Sequence, residues 1–160
     1  MTQGKKYLLI VCLFLPKWGL ANGNADAILG EWYTDENKSI VNIYQCNEDQ
    51  YCGRIIALKE PVYPADDEMA GQAKVDRNNP DEQKRQRSIV GLEILSSFQH
   101  EGDSKWEDGR IYDPNNGKTY KCIISLKDRE TLKVRGYIGF SLIGRTTIWT
   151  RKPTVLQIEE

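Results

Sequence analysis

Residues 120–135 read "YKCIISLKDRETLKVR", and their alternation decides the fold. Tyr120, Cys122, Ile124 and Leu126 fall on one side, and Lys121, Ile123, Ser125 and Lys127 on the other. That is the period of two expected of a strand with one buried face. The pattern resumes after Asp128-Arg129-Glu130, with Leu132 and Val134 facing one way and Thr131, Lys133 and Arg135 the other. Two such runs joined by a short polar turn predict an antiparallel hairpin. Cys122 points to the apolar face, where a free thiol behaves as a small hydrophobe.

The same signals recur on both sides. "SIVNIYQC" (39–46) and "YCGRIIAL" (51–58) are rich in β-branched and aromatic residues and predict a second hairpin. "SIVGLEILSSF" (88–98), "KWEDGRIYDP" (105–114) and "RTTIWTR" (145–151) add strands, joined by turns such as "QHEGDS" and Asn116-Gly117. With "GEWYT" (30–34) the count reaches eight candidates, nearly all closely connected. A meander of that size removes its exposed edges most simply by closing into a barrel. Gly136, Gly139 and Gly144 in "GYIGFSLIG" are spaced for bending a strand pair and not for cradling a phosphate.

Residues 1–21 carry Lys5 and Lys6, an apolar run from Leu8 to Leu15, then Pro16 and the small residues Gly19 and Ala21. This is the layout of a cleaved secretory signal, with residues 22–160 expected as a single domain. Its apolar run is too short for a membrane span, and no longer one follows. Removing Lys5, Lys6 and Lys17 leaves 19 basic against 23 acidic residues, a formal charge of −4. No basic stripe exists for phosphates, which argues against a nucleic-acid partner. Export implies an oxidising compartment, the periplasm or the outside, where Cys46 and Cys52, flanking the turn "NEDQY", are expected to pair. A bridge closing so short a loop contributes roughly 2 kcal/mol on the chain-entropy estimate.

Residues 59–87, "KEPVYPADDEMAGQAKVDRNNPDEQKRQR", interrupt the strand rhythm with a polar connection. Such length marks a functional or mobile loop. It has room for a short helix around Asp81 to Arg87, with Asn79 as cap and Pro80 in the first turn. Arg85 and Arg87 are candidate polar anchors for a carboxylate or sulfate; pairing with Asp76, Asp81 and Glu82 is the competing reading. His100 is the single histidine and sits in a polar turn, which leaves little for a zinc site or a histidine-based triad. Asp76, Asp81, Asp108 and Asp113 are available for hydrolysis by paired carboxylates, although nothing in their spacing singles out a pair.

Six motifs, "GEWYT", "YCGRI", "D..NP....R.R..VGLEIL", "W.DGRIYDP..GKTY", "LKVRGYIG" and "GRTTIWTR", occur in order over about residues 28–152. The series resembles that of an exported bacterial family known only as a domain of unknown function. That family is in turn similar to lipocalins, within the calycin group of antiparallel barrels. The resemblance implies that Gly30 and Trp32 open the first strand, that Trp32 plugs the closed end, and that Arg151 from the last strand lies over it. A guanidinium over an indole contributes about 1–2 kcal/mol when partly desolvated. The brief tail "KPTVLQIEE" departs from typical lipocalins, which carry a C-terminal helix.

The expectation is thus an all-β fold: an antiparallel up-and-down barrel of about eight strands, lipocalin-like or calycin-like. It is expected to bind a small apolar or amphipathic molecule, with no cofactor, no metal, no nucleic acid, no stable membrane insertion and no enzymatic step. Tyr120, Cys122, Ile124, Leu132 and Val134 are the candidate lining, and Trp106 and Tyr112 the candidate rim. The same residues are plain core if the barrel is filled, since eight strands enclose a space that side chains just fill or that holds one small ligand. A filled barrel acting through its surface, with loop 59–87 as the contact, is the alternative, and a carboxylate hydrolase is a third.

Overall fold

Eight strands follow one another in the computed structural model, which describes residues 24–140 and 142–154. They are β1 (Gly30–Tyr33), β2 (Ser39–Asn47), β3 (Gln50–Leu58), β4 (Glu93–His100), β5 (Lys105–Asp113), β6 (Lys118–Asp128), β7 (Thr131–Tyr137) and β8 (Gly144–Arg151). Each pairs antiparallel with its neighbour in sequence, and β1 pairs with β8, closing an up-and-down barrel. The expected signal segment, residues 1–21, lies outside the described residues. Among the described residues no helix is long and apolar enough to cross a membrane.

Closure is achieved with very little backbone pairing. β1 is four residues long, and only Trp32↔Arg151 and Tyr33↔Thr150 form the seam. Side chains supply the rest. The Trp32 ring is fully buried, its Nε1 donates to the Ile28 carbonyl at 2.8 Å, and the Arg151 guanidinium stands 4.0 Å above it. Arg151 also donates to the carbonyls of Ala27 (2.7 Å), Leu29 (2.8 Å) and Arg129 (2.7 Å). Two of these bonds satisfy carbonyls at the end of the short 3₁₀ turn Ala25–Ile28 and its cap Leu29, and the third ties β8 to the β6–β7 turn. Trp106 Nε1 binds the Ala25 carbonyl and the Tyr51 hydroxyl binds Asp26, so this turn is fastened across the barrel end as a floor.

The floor end also holds the β2–β3, β4–β5 and β6–β7 turns, and the first of these carries the Cys46–Cys52 disulfide, with Cα atoms 5.7 Å apart. Above the floor the interior is filled by Trp32, Trp106, Phe98, Cys122, Ile124 and Leu132, all buried. Phe98 reaches the axis because β5 places Gly109 opposite it; a Cβ there would lie 2.3 Å from the ring. Bulges in β4 and β5 accompany this close packing.

Two expectations need correction. The strand expected at 88–98 begins at Glu93, because Ser88–Leu92 turns away: Val90 N–H binds the Ser88 hydroxyl and Gly91 has φ of 93°. The helix expected around Asp81–Arg87 is a single 3₁₀ turn, Glu82–Lys84. Asn79 is not its cap, since its Nδ2 is drawn inward to Asp76 while its Oδ1 receives Asp81 N–H; the Asp81 side chain caps Gln83 instead.

Candidate functional site

The connections 34–38, 59–92, 114–117 and 138–143 gather at the other end, which is open. A cup of about 1190 Å³ occupies this half of the barrel. Its wall is apolar, with Ile55, Ile94, Ile111, Val134 and Trp149 among its residues, and its mouth is of mixed charge, with Lys38, Lys59, Lys74, Arg77 and Arg145 beside Asp35, Glu36, Glu60, Asp67 and Asp113. Trp149 sits low, and its Nε1 donates to Thr147 Oγ1 at 3.2 Å, two residues nearer the mouth. Lys59 has no ion-pair partner among the described residues.

The sequence-derived lining divides by height. Tyr120, Val134 and Tyr112 line the cup. Cys122, Ile124 and Leu132 face inward as the alternation requires, but they lie in the filled half and do not line it. Trp106 is not at the rim: it is fully buried at the floor end, where β5 starts. Alternation shows which side of a strand is inward and carries no information about height. Ile55, Ile94, Ile111 and Trp149 belonged to strands already recognised, whereas Tyr63 and Ile89 come from the loop, which has no periodicity to read.

That loop is folded. Short bridges pair Val62 with Ala73 and Val75 with Ser88. Tyr63 is buried, its hydroxyl bonded to both the N–H and the carbonyl of Val75, and the Arg77 guanidinium lies 4.3 Å over its ring. Arg77 grips Asp67 through two bonds of 2.8 Å, which holds the Asp67 carboxyl below its ordinary range.

The loop is fastened to the barrel at Asp76, whose carboxylate is completely buried. It accepts from the Tyr112 hydroxyl (2.6 Å), Asn79 Nδ2 (2.7 Å) and Arg87 Nη2 (2.8 Å). Burial, and then the bond to Asp76, push the Tyr112 phenol up to about 12. Arg85 binds the Asn79 carbonyl and Glu82. Both candidate anchors are therefore committed to partners within the loop, and neither lines the cup. A second fastening joins Asn78 Nδ2 to the carbonyls of Pro114 and Asn115. Gly117 admits it: φ is 68°, and a Cβ would stand 1.9 Å from the Asn78 carbonyl oxygen.

A family model described as "Uncharacterized protein conserved in bacteria" (DUF2147) matches residues 30–151. The chain belongs to this family. The matched span opens on the glycine before Trp32 and closes on Arg151, so the DUF2147 unit is the closed barrel itself. No curated protein matches the chain. One solved structure that resembles it is protein HP1028 from the human pathogen Helicobacter pylori, which belongs to the lipocalin family. The two are 22% identical with a TM-score of 0.66, and the match covers 78% of this chain and 82% of that one. This likeness carries the lipocalin-like barrel fold.

Cys122 yields a prediction of stability. Burial pushes its thiol up to about 12 from 9.0. A raised native pKa means full stability below the ordinary thiol pKa and loss as pH climbs toward the native one. Between pH 9 and 10, stability from urea unfolding should decline with a slope approaching roughly 1.4 kcal/mol per pH unit. Cys122→Val should flatten that decline; an identical slope in the variant would remove Cys122 as its source. Above pH 10 Tyr51 and Tyr112, both pushed up to about 12, add their own losses.

Proposed function

We propose that this DUF2147 protein is an exported binding protein, holding one small apolar or amphipathic molecule in the upper half of its barrel without transforming it. The observation that carries this reading is the cup of about 1190 Å³ above a sealed floor. That volume lies somewhat above the usual range of small-molecule sites, about 300 to 1000 Å³, as expected of a cup open at its mouth. An apolar wall of isoleucines under a mouth of mixed charge, where Lys38, Lys74, Arg77 and Arg145 are paired with Glu36, Glu60, Asp67 and Asp35, suits an apolar body with a polar end. The Cys46–Cys52 bridge fits an oxidising compartment such as the periplasm or the extracellular space.

Hydrolysis by paired carboxylates has less support. The Asp76 carboxylate is committed to three donors, Asp81 caps a turn and is held below its ordinary range by Lys84, and Asp113 braces Asn115 and Asn116.

Fluorescence titration with an anionic naphthalene dye and with a medium-chain fatty acid as competitor tests the reading. One saturable site is expected, and Ile111→Trp, which adds bulk to the cup wall, should weaken binding about tenfold or more with little change in Tm. No saturable binding, or equal binding by Ile111→Trp, overturns it. Native mass spectrometry of protein from its own host is expected to show one bound small molecule.

A further inference from the structure

The turn between β7 and β8 presents an anomaly for a water-soluble surface. Ile138, Phe140, Leu142 and Ile143 are 65%, 84%, 90% and 70% exposed. Elsewhere among the described residues the exposed large apolar side chains, Val62, Val90 and Ile148, stand singly and are each less than half exposed. Isolated exposed apolar residues are ordinary; four at one tip mark an interaction site. The turn is closed by Ile138 N–H to the Ile143 carbonyl and Ile143 N–H to the Phe140 carbonyl, and it projects beyond the last rung, Tyr137↔Gly144.

The charges behind the tip indicate what it meets. The rung at its base continues across the outer wall as Gly144↔Tyr137, Tyr137↔Lys121 and Lys121↔Arg110. Lys121 alternates with the inward Tyr120 and Cys122, and Arg110 with the inward Gly109 and Ile111, so both cations point outward, and both are exposed. Neither has an ion-pair partner among the described residues. Arg145, also exposed, follows on β8 with Asp35 at 3.5 Å. An apolar prominence backed by cations matches a bilayer interface carrying anionic headgroups: the fluid acyl region takes in a convex tip without needing a complementary pocket, and the cations remain at headgroup level.

We propose that the β7–β8 turn docks this protein, peripherally and reversibly, on an anionic phospholipid surface, with Phe140 and Leu142 inserted and Lys121 and Arg110 against the headgroups. Ile138 and Ile143 belong to the exposed turn and also to the cup lining, so docking brings an apolar path from the bilayer to the cup. Docking stands whether or not the cup holds a ligand; use of that path for lipid exchange rests on the binding reading above.

The test is co-sedimentation of the full chain with vesicles of phosphatidylcholine mixed with phosphatidylglycerol and with phosphatidylcholine alone. The wild type should partition onto the mixed vesicles and lose much of that association in high salt. Phe140→Ser/Leu142→Ser should lower partitioning about tenfold, while Tm and dye binding in the cup stay as in wild type, because neither residue lines the cup. Arg110→Glu/Lys121→Glu should lower association with mixed vesicles by a similar factor and leave pure phosphatidylcholine unaffected. Failure to bind either vesicle, or unchanged partitioning of the serine variant, overturns docking. A concentration-dependent dimer in sedimentation velocity that the serine variant abolishes, without vesicle binding, also overturns it by giving the tip to a second copy of the chain. Dye binding is measured separately, so loss of the cup reading and loss of docking are told apart.

Discussion

Trp32→Ala is expected to lower the stability of the barrel by about 4 kcal/mol, a fall in Tm of roughly 15 °C. The ring is fully buried in the floor, and truncation leaves a void of indole size that the surrounding strands cannot collapse to fill. Two further losses accompany the void. The Ile28 carbonyl loses its donor, and the Arg151 guanidinium loses the ring 4.0 Å beneath it. Because the β1–β8 seam has only two residue pairs, the damage falls where backbone pairing is thinnest. Trp32→Phe separates the contributions: it keeps most of the packing but not the Nε1 bond, and should recover more than half of the loss. Equilibrium unfolding in urea of the three proteins is the measurement. Wild-type stability in Trp32→Ala would show that the floor is not what holds the barrel closed.

Much of this architecture was readable from residue order. A period of two survives translation into a closed barrel because every strand has one dry face, so β2, β3, β6 and β7 emerge within a residue or two of the runs that predicted them. Gly30, Trp32 and Arg151 were legible through resemblance, at opposite ends of the chain and without any pattern of their own. Height along a strand was not legible. Trp106 is near the turn "DPNNG" (113–117) in sequence, yet β5 has nine residues, so the turn and the Trp stand at opposite ends of the barrel, roughly 25 Å apart. The same limit placed Cys122, Ile124 and Leu132 on the correct face and in the wrong half.

The loop and the apolar turn were illegible for different reasons. In "D..NP....R.R" the residues of the Asp76 clasp are all visible, but a network made by side chains of an irregular segment with Tyr112, more than 30 residues away, follows from no local rule. "YIGFSLIG" reads as another strand pair with bending glycines. Nothing in its composition distinguishes a buried apolar run from one held out in solvent by a turn at Gly139 with φ of 65°. Both features surround the mouth, where the fold is set by contacts between connections and no longer by the ladder.

The second large effect is expected from Asp76→Asn. The carboxylate is completely buried and accepts three bonds, from Tyr112, Asn79 and Arg87, two of them neutral and one charged. The amide keeps the shape, but its one oxygen cannot serve all three donors, and its NH₂ must face at least one of them. The Arg87 cation also loses its counter-charge, but its side chain is 44% exposed and keeps its water, so this part of the loss is about 1 kcal/mol and the greater part comes from the donors left unpaired in the buried clasp. The loss should be local in its first stage. Loop 59–92 is tied down at Asp76 and at Asn78, so freeing the first fastening should open the segment to trypsin after Lys74, Arg77 and Arg87 while β1–β8 remain intact. The phenol supplies a second readout. Tyr112 is held up first by burial and then by the adjacent carboxylate, so its spectroscopic titration should move down from about 12 in the variant, by an amount that reflects both the lost charge and the looser cover. Faster proteolysis without a change in Tyr112 would locate the damage away from the clasp. A protected loop and an unmoved phenol would mean that the buried charge is not what fastens the mouth of the cup.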